Sequence, residues 1–393
     1  MRPQGGILGA TVTPTQDAAS GVWTLREAHQ FRRSTTWPAA IDWRFTGSAH
    51  WPEYKYSIDA TTSSRTVTDS TITPTGTYDG NSADFVGAVL LADGRVFIVP
   101  RNSTSARIYD PVADTVSTPS GTYPGSSAFW GGVLMRDGRV YCVPADSTSA
   151  RIYDPVADSL TTPTGTFSGG SSDFLSGLLL SDGRVYVVPA NSTTARIYDP
   201  VADTLTTPSG TFAGSRAYSS AVLLSDGRVF FVPYNSTTAQ IYDPVTDTLT
   251  TAGGSYANDS FKFWGGVLLP DGRVYLMPYL SATARIYDPV ADTVTTPTGT
   301  FPGDAFLGGA LLPDGRVFCV PLAGTTARIY DPVADTLTTP SGTYPGGNSV
   351  GYGVVMLDGR VFMPPFSGTS ARIYGGGGGF SKNVSLSGYY NHI

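Results

Sequence analysis

The stretch Asp182 to Asp199, DGRVYVVPANSTTARIYD, returns in near-identical form six more times, and this repetition constrains the fold more than any other feature. Its opening Asp recurs as Asp93, Asp137, Asp226, Asp271, Asp314 and Asp358, so successive copies lie 44, 45, 44, 45, 43 and 44 residues apart. A period of roughly 20 to 50 residues marks a solenoid, a propeller or a similar array. Here the segments between the repeated aspartates are strand-like and carry no helical periodicity. Seven such copies predict an all-β, seven-bladed β-propeller with four-stranded blades.

The order of strands within a blade follows from burial patterning. Gly265 to Gly272 (GGVLLPDG) and Arg273 to Pro278 (RVYLMP) are apolar on both alternating faces, the pattern of strands covered on both sides. Thr283 to Asp288 (TARIYD) reads as half buried. Thr293 to Phe301 (TVTTPTGTF) is mostly Thr with a Pro, which suits an outer edge strand that must resist pairing. Burial therefore falls from first strand to fourth, as a blade radiating from a hub requires. The Asp-Gly between the first two strands reads as a two-residue hairpin loop whose Gly supplies positive φ. DPVAD, as at Asp199 to Asp203, reads as the turn between the third and fourth.

The seventh copy stops at Tyr374 and runs into Gly375 to Gly379, so it lacks a fourth strand of its own. Thr71 to Tyr78 (TITPTGTY) carries a fourth-strand ending ahead of the first copy. The two ends are expected to pair and close the ring. The chain then divides into an N-terminal arm and anchoring segment (1–65), the propeller (66–374) and a Gly-rich linker with a C-terminal tail (375–393). Within the arm, residues 23–34 are the one predicted helix, with Trp23, Leu25 and Phe31 as candidate interface residues. Trp43, Phe45, Trp51, Tyr54 and Tyr56 need a surface to pack on, either the propeller or another subunit.

Composition limits the chemistry. A net charge of −6 argues against a nucleic-acid partner, because phosphate binding needs a basic surface. No continuous apolar segment follows Arg2 or occurs later, so neither a secretory signal nor membrane insertion is expected. Cys142 and Cys319 share one strand position and read as small buried apolar residues, not as a disulfide. His29, His50 and His392 all lie outside the repeats, so no His-based triad or His metal centre can be built in the propeller. The repeated aspartates occupy turns, and Gly375 to Gly379 has no Lys to make a phosphate loop. The expectation is a protein without enzymatic activity, catalytic residues, metal or cofactor. The two repeated arginine sets, Arg95 and Arg107 with their equivalents, are predicted to pair with turn aspartates between blades, with anion binding as the alternative.

Positions identical in all copies serve the blade, so function should lie where copies differ. The residue after the second-strand Pro is Arg101, Ala145, Ala190, Tyr234, Tyr279, Leu322 or Phe366. The connection from fourth to first strand also varies, carrying Trp130, Arg216, Lys262 and Trp264. In a propeller these two loop sets share one face. Trp130, Tyr234, Trp264, Tyr279 and Phe366 are accordingly the candidate ligand-binding residues, suited to stacking on sugar rings. Against this, Phe85, Phe129, Phe174, Tyr218, Phe263 and Phe306 recur eight residues before the repeated Asp and read as core, and that reading extends to the Trp beside two of them.

Two resemblances add to these readings. LLPDGRV followed by a Tyr-Asp-Pro turn, as in Leu311 to Val317 and Ile329 to Pro332, resembles kelch-type repeats of the bacterial form. Pro189 and its equivalents replace the kelch Gly-Gly, and Leu205 or Val294 the kelch Trp, so the resemblance implies the propeller and not kelch functions. Gly5 to Pro38, with its small-residue arm, Gly-Val-Trp-Thr-Leu segment and Trp-Pro, resembles the opening of bacteriophage tail and virion structural proteins. That resemblance implies a virion protein assembled in the host cytoplasm, of the tail or tail fibre. Its arm would bind other virion proteins while the propeller meets a host-surface glycan. The alternatives are a decoration or adaptor protein without host contact, and a cellular glycan-binding or glycan-cleaving propeller. A homo-oligomer would suit a fibre, although no coiled-coil heptad supports one.

Overall fold

The computed structural model describes residues 69–79, 83–256, 261–301 and 306–375. The expected arm, its helix at 23–34 with Trp23, Leu25 and Phe31, and the C-terminal tail lie outside these residues. Seven four-stranded antiparallel sheets form the seven blades. In the third blade the strands are Phe174–Leu179, Val185–Pro189, Arg196–Asp199 and Thr204–Thr206, paired in chain order. Val185–Pro189 is buried at all five positions, whereas the outer strand is exposed except at Leu205. Phe174–Leu179 is fully buried only at Phe174 and Leu175, so burial peaks on the second strand, and the expected fall holds from there outward and not from the first strand. Phe85 and its five recurring aromatic equivalents are all core residues. Cys142 and Cys319 are free thiols in fully buried strands, and burial pushes the Cys142 thiol up to about 12.

Ring closure comes from the chain ends. Thr71–Ile72 pairs antiparallel with Arg372–Tyr374, in the register Thr71↔Tyr374 and Ile72↔Ile373, and supplies the outer strand of the seventh blade.

Neighbouring blades are joined by two devices that repeat at every interface. First, an aromatic side chain on the second strand stacks on the third-strand Tyr of the next blade. Six such pairs, from Phe97 on Tyr153 to Phe318 on Tyr374, have ring centroids 4.5 to 5.1 Å apart. The seventh, Phe362 on Tyr109 at 4.8 Å, joins the last blade to the first. Each pair adds about 0.5–1.5 kcal/mol beyond the area it buries. Second, the last Asp of each DPVAD turn clasps the preceding blade. Asp203 accepts hydrogen bonds from the Thr164 amide (3.0 Å) and hydroxyl (2.7 Å), and from its own blade's Tyr198 hydroxyl (2.9 Å). Asp203 sits at φ +49°, a conformation usually left to Gly, and Asp tolerates it while contributing the carboxylate. In the seventh blade the N-terminal Asp69 takes this role, accepting from the Ser341 amide at 2.8 Å.

Two expectations about the turns are corrected. The Asp-Gly hairpin loop has three residues, not two: Gly183 donates to the Leu180 carbonyl (2.9 Å), and Leu180 in turn donates to the Arg184 carbonyl (2.8 Å). With Gly183 at φ +95°, this is the three-residue loop that ends in a left-handed bulge residue. The Arg95 set does pair with turn aspartates, but within its own hairpin. Arg184 Nε and Nη2 both reach Asp182 Oδ2 at 2.7 Å, because two residues across a tight turn are closer than any neighbouring blade. The Arg107 set is also local, Arg196 Nη1 donating to Thr194 Oγ1 and the Ala195 carbonyl. Arg107 itself also reaches Asp79, in the connection that precedes its blade.

Candidate recognition face at the hub

The third residue of each first strand defines the centre of the ring. Six blades place Gly87, Gly131, Ser176, Ser220, Gly265 and Gly308 there, and the seventh has Tyr352 at the equivalent position, just ahead of its strand Val354–Val355. The small residues let backbones converge: a Cβ on Gly265 would lie 2.9 Å from the Gly308 Cα. One on Gly308 would lie 3.0 Å from Tyr352 Cδ1, so a single tyrosine takes the room that the small residues leave.

The Tyr352 hydroxyl accepts from two indoles on different blades, Trp130 Nε1 (3.3 Å) and Trp264 Nε1. Tyr352 keeps some accessible surface, yet desolvation pushes its phenol up to about 12 against the lowering effect of the two indole donors. Trp130 and Trp264 meet with ring centroids 6.1 Å apart. Tyr234 stands edge-on to Trp264 at 4.9 Å, and Tyr279 lies 5.0 Å from it. The result is an aromatic plug across one end of the hub.

The loops around the plug are held stiffly. The residue after the second-strand Pro donates its amide to a carbonyl of the connection before it: Arg101 to Asp84 (2.7 Å), Ala190 to Asp173 (2.7 Å), Tyr234 to Ala217 (2.8 Å), Tyr279 to Lys262 (2.8 Å). The variable positions of the two loop sets are therefore tied together on one face. Lys262 is buried and donates to the Asn235 (3.4 Å) and Ser236 (3.2 Å) carbonyls, joining two of these loops.

The structure brings all five candidate ligand residues into this one cluster. Trp130, Trp264 and Tyr234 are only 8%, 5% and 3% exposed, and their rings are used on one another. Tyr279 and Phe366 are half-buried at its edge, and Phe261 and Leu280 extend it as exposed apolar residues. Two residues that belong with them are Arg101 and Tyr352. The Arg101 guanidinium lies 4.5 Å over the Trp130 ring and 5.8 Å from that of Phe366. Arg216, at φ +53°, donates to Ser172 Oγ at 3.3 Å. Desolvation lowers the Arg101 pKa, Asp146 opposes that effect and Arg216 adds to it. Tyr352 was open to discovery by the same comparison of copies that exposed the loops, since it breaks a column of Gly and Ser.

The opposite face carries the Asp-Gly and DPVAD turns. Each complete blade there presents three aspartates, against one arginine in five blades, as with Asp182, Asp199, Asp203 and Arg184, and against Arg136 and Arg139 in the second. A shallow groove of ≈ 400 Å³ lies between the second and third blades, lined by Arg136, Asp137, Asp182 and Arg184. Among the described residues no group of three His, Cys, Asp or Glu side chains could hold a metal ion. The hub face carries aromatic rings together with the guanidinium groups of Arg101 and Arg216.

No family model and no curated protein matches the sequence. Solved structures do match in shape. Virginiamycin B lyase from Staphylococcus aureus is 8% identical with a TM-score of 0.65, covering 77% of this chain and 98% of its own. A catalytically inactive variant of that lyase with quinupristin, in which a histidine is replaced by alanine, is 9% identical at a TM-score of 0.66, over 77% and 99%. A copper-containing fungal alcohol oxidase of the AA5 family is 16% identical at 0.60, over 77% and 75%. At such identities the likeness is one of fold alone, and what it establishes is that this chain is a seven-bladed β-propeller.

Proposed function

We propose that the protein is a non-enzymatic bacteriophage virion component, of the tail or its fibres, which tethers a kelch-like propeller by one face and displays the other for recognition of a host-surface glycan. The observation that carries this reading is the placement of the chain ends. Gly375 donates to the Ser70 carbonyl at 2.8 Å, and Asp69 occupies the DPVAD clasp position of the seventh blade. Both tails therefore leave together from the turn face, opposite the variable loops. The N-terminal tail is the segment that resembles phage virion proteins, with Trp23, Leu25 and Phe31 as its candidate anchors. Six valines of the DPVAD turns, Val112, Val156, Val201, Val245, Val290 and Val333, ring that same face at 79% to 95% exposure, which suits contact with a larger particle.

The test is a phage lacking residues 1–65 of this protein. The expected result is particles without the propeller that adsorb poorly to their host; normal incorporation would overturn the anchoring role. The enzymatic likeness in fold motivates a second reading, a glycan-cleaving propeller. Incubating the full chain with host-surface glycans separates the two, since display leaves the glycans intact and cleavage releases fragments. The histidine that matters to the lyase variant has no counterpart to draw on in the repeats, because His29, His50 and His392 all lie outside them.

A further inference from the structure

We infer that the hub face binds an anionic saccharide, through Arg101 and Arg216, with Tyr279 and Phe366 flanking the sugar ring. This rests on the reading of the hub face as a recognition surface and names the class of ligand it takes. In the ring of seven residues that follow the second-strand Pro, Arg101 is the one charged member, against Ala, Tyr, Leu and Phe elsewhere. Its guanidinium lies over the Trp130 ring of the aromatic plug, and its Nε is buried without a hydrogen-bond partner. Neither Arg101 nor Arg216 forms an ion pair among the described residues. The nearby carboxylates are engaged by the loops themselves: Asp146 accepts from the Ser172 amide (2.6 Å), and Asp173 from the Gly170 amide (3.0 Å) and the Ser168 hydroxyl.

A half-buried guanidinium without a carboxylate in direct contact is costly, because the charge of Asp146 offsets its desolvation only in part. Cation–π contact with Trp130 and Phe366 offsets part of that, and among the described residues no hydrogen bond takes up the guanidinium N–H groups. The terminal Nη donors suit the oxygens of a carboxylate or phosphate. The second guanidinium lies on the same face, where Arg216 donates to Ser172 Oγ at 3.3 Å, and its charge opposes that of Arg101. An anion between them relieves that repulsion. Tyr279 and Phe366 stand at the plug's edge with part of their surface free, where an apolar sugar face can rest. The opposite face, where aspartates outnumber arginines, repels the same ligand.

The experiment is a glycan array with the full chain, carrying uronic and sialic acids, phosphorylated sugars and neutral sugars. Isothermal titration with the best acidic binder follows, comparing wild type with Arg101→Gln, Arg216→Gln and Arg101→Lys. Unchanged thermal melting shows that the variants fold. Support consists of selective binding to acidic sugars, at least tenfold weaker in Arg101→Gln, only partly rescued by Arg101→Lys and falling with salt. Whether carboxylated or phosphorylated sugars score identifies the anion. Binding of neutral sugars, equal in wild type and Arg101→Gln, overturns the anionic assignment and leaves the recognition surface standing. Binding to nothing on an array that includes host-surface glycans overturns both.

Discussion

Tyr352 shows how one residue decides the character of a repetitive ring. Six copies keep Gly or Ser at its position, which leaves a space only one large side chain can fill, and the seventh copy fills it. Its hydroxyl then organises Trp130 and Trp264, which come from blades separated in sequence by 134 residues. Tyr352→Phe removes the acceptor of two buried indole donors and should destabilise the protein by about 1–3 kcal/mol, read as a lower urea midpoint. Tyr352→Gly restores the column to uniformity but empties the hub, and should cost about 2–4 kcal/mol, somewhat less than large-to-small changes of a fully buried aromatic. If Tyr352→Gly unfolded at the wild-type midpoint, the plug would have no structural role. The second variant also loosens the platform beneath Arg101, so any glycan affinity should fall with it.

At the scale of elements, the clasp between blades carries a pH dependence with a definite sign. The carboxyl of Asp203 is held below the usual carboxylate range by the Thr164 hydroxyl and amide and the Tyr198 hydroxyl. Asp247 and Asp335 are lowered in the same way by Ser209 and Tyr242, and by Thr298 and Tyr330. A group whose pKa is depressed on folding stabilises the folded state above its unfolded value, about 3.9 for Asp, and loses that contribution as pH falls through the folded value. The melting temperature should therefore be level from about pH 7 to 5 and drop below about pH 4. The triple replacement Asp203→Asn, Asp247→Asn, Asp335→Asn should melt lower at pH 7 and show a shallower acid slope; an unchanged slope would remove the clasps from the account. Elements of this kind were partly legible in the sequence. Strand order, blade count and ring closure could be read because seven copies align one another. The clasp could not, because Thr164 and Asp203 belong to different blades and nothing local in either links them. The hairpin loop was misjudged by one residue because Asp-Gly specifies a left-handed position without specifying how many residues precede it. Arg184 was misassigned for a geometric reason, since its Asp lies two residues away in the same turn.

The whole molecule is a ring whose last blade is assembled from both ends, so its integrity depends on a short segment that precedes the first full repeat. Residues 69–79 supply the Asp69 clasp to Ser341, the strand Thr71–Ile72, and the Thr75 hydroxyl and amide that reach Asp114 of the first blade. Tyr78 from the same segment packs edge-on against Phe85 at 5.8 Å. A chain beginning at residue 66 keeps all four contacts and should unfold at the midpoint of the full protein. One beginning at residue 79 loses them together and leaves Arg372–Tyr374 as an unpaired edge strand, a template for aggregation. It should unfold several degrees lower and associate at micromolar concentration. Adding a peptide of residues 66–79 should then raise the midpoint progressively with the logarithm of its concentration, because a ligand that binds only the folded ring stabilises it by mass action. Equal stability of the two chains, or a peptide without effect, would mean that the ring holds without its closing strand.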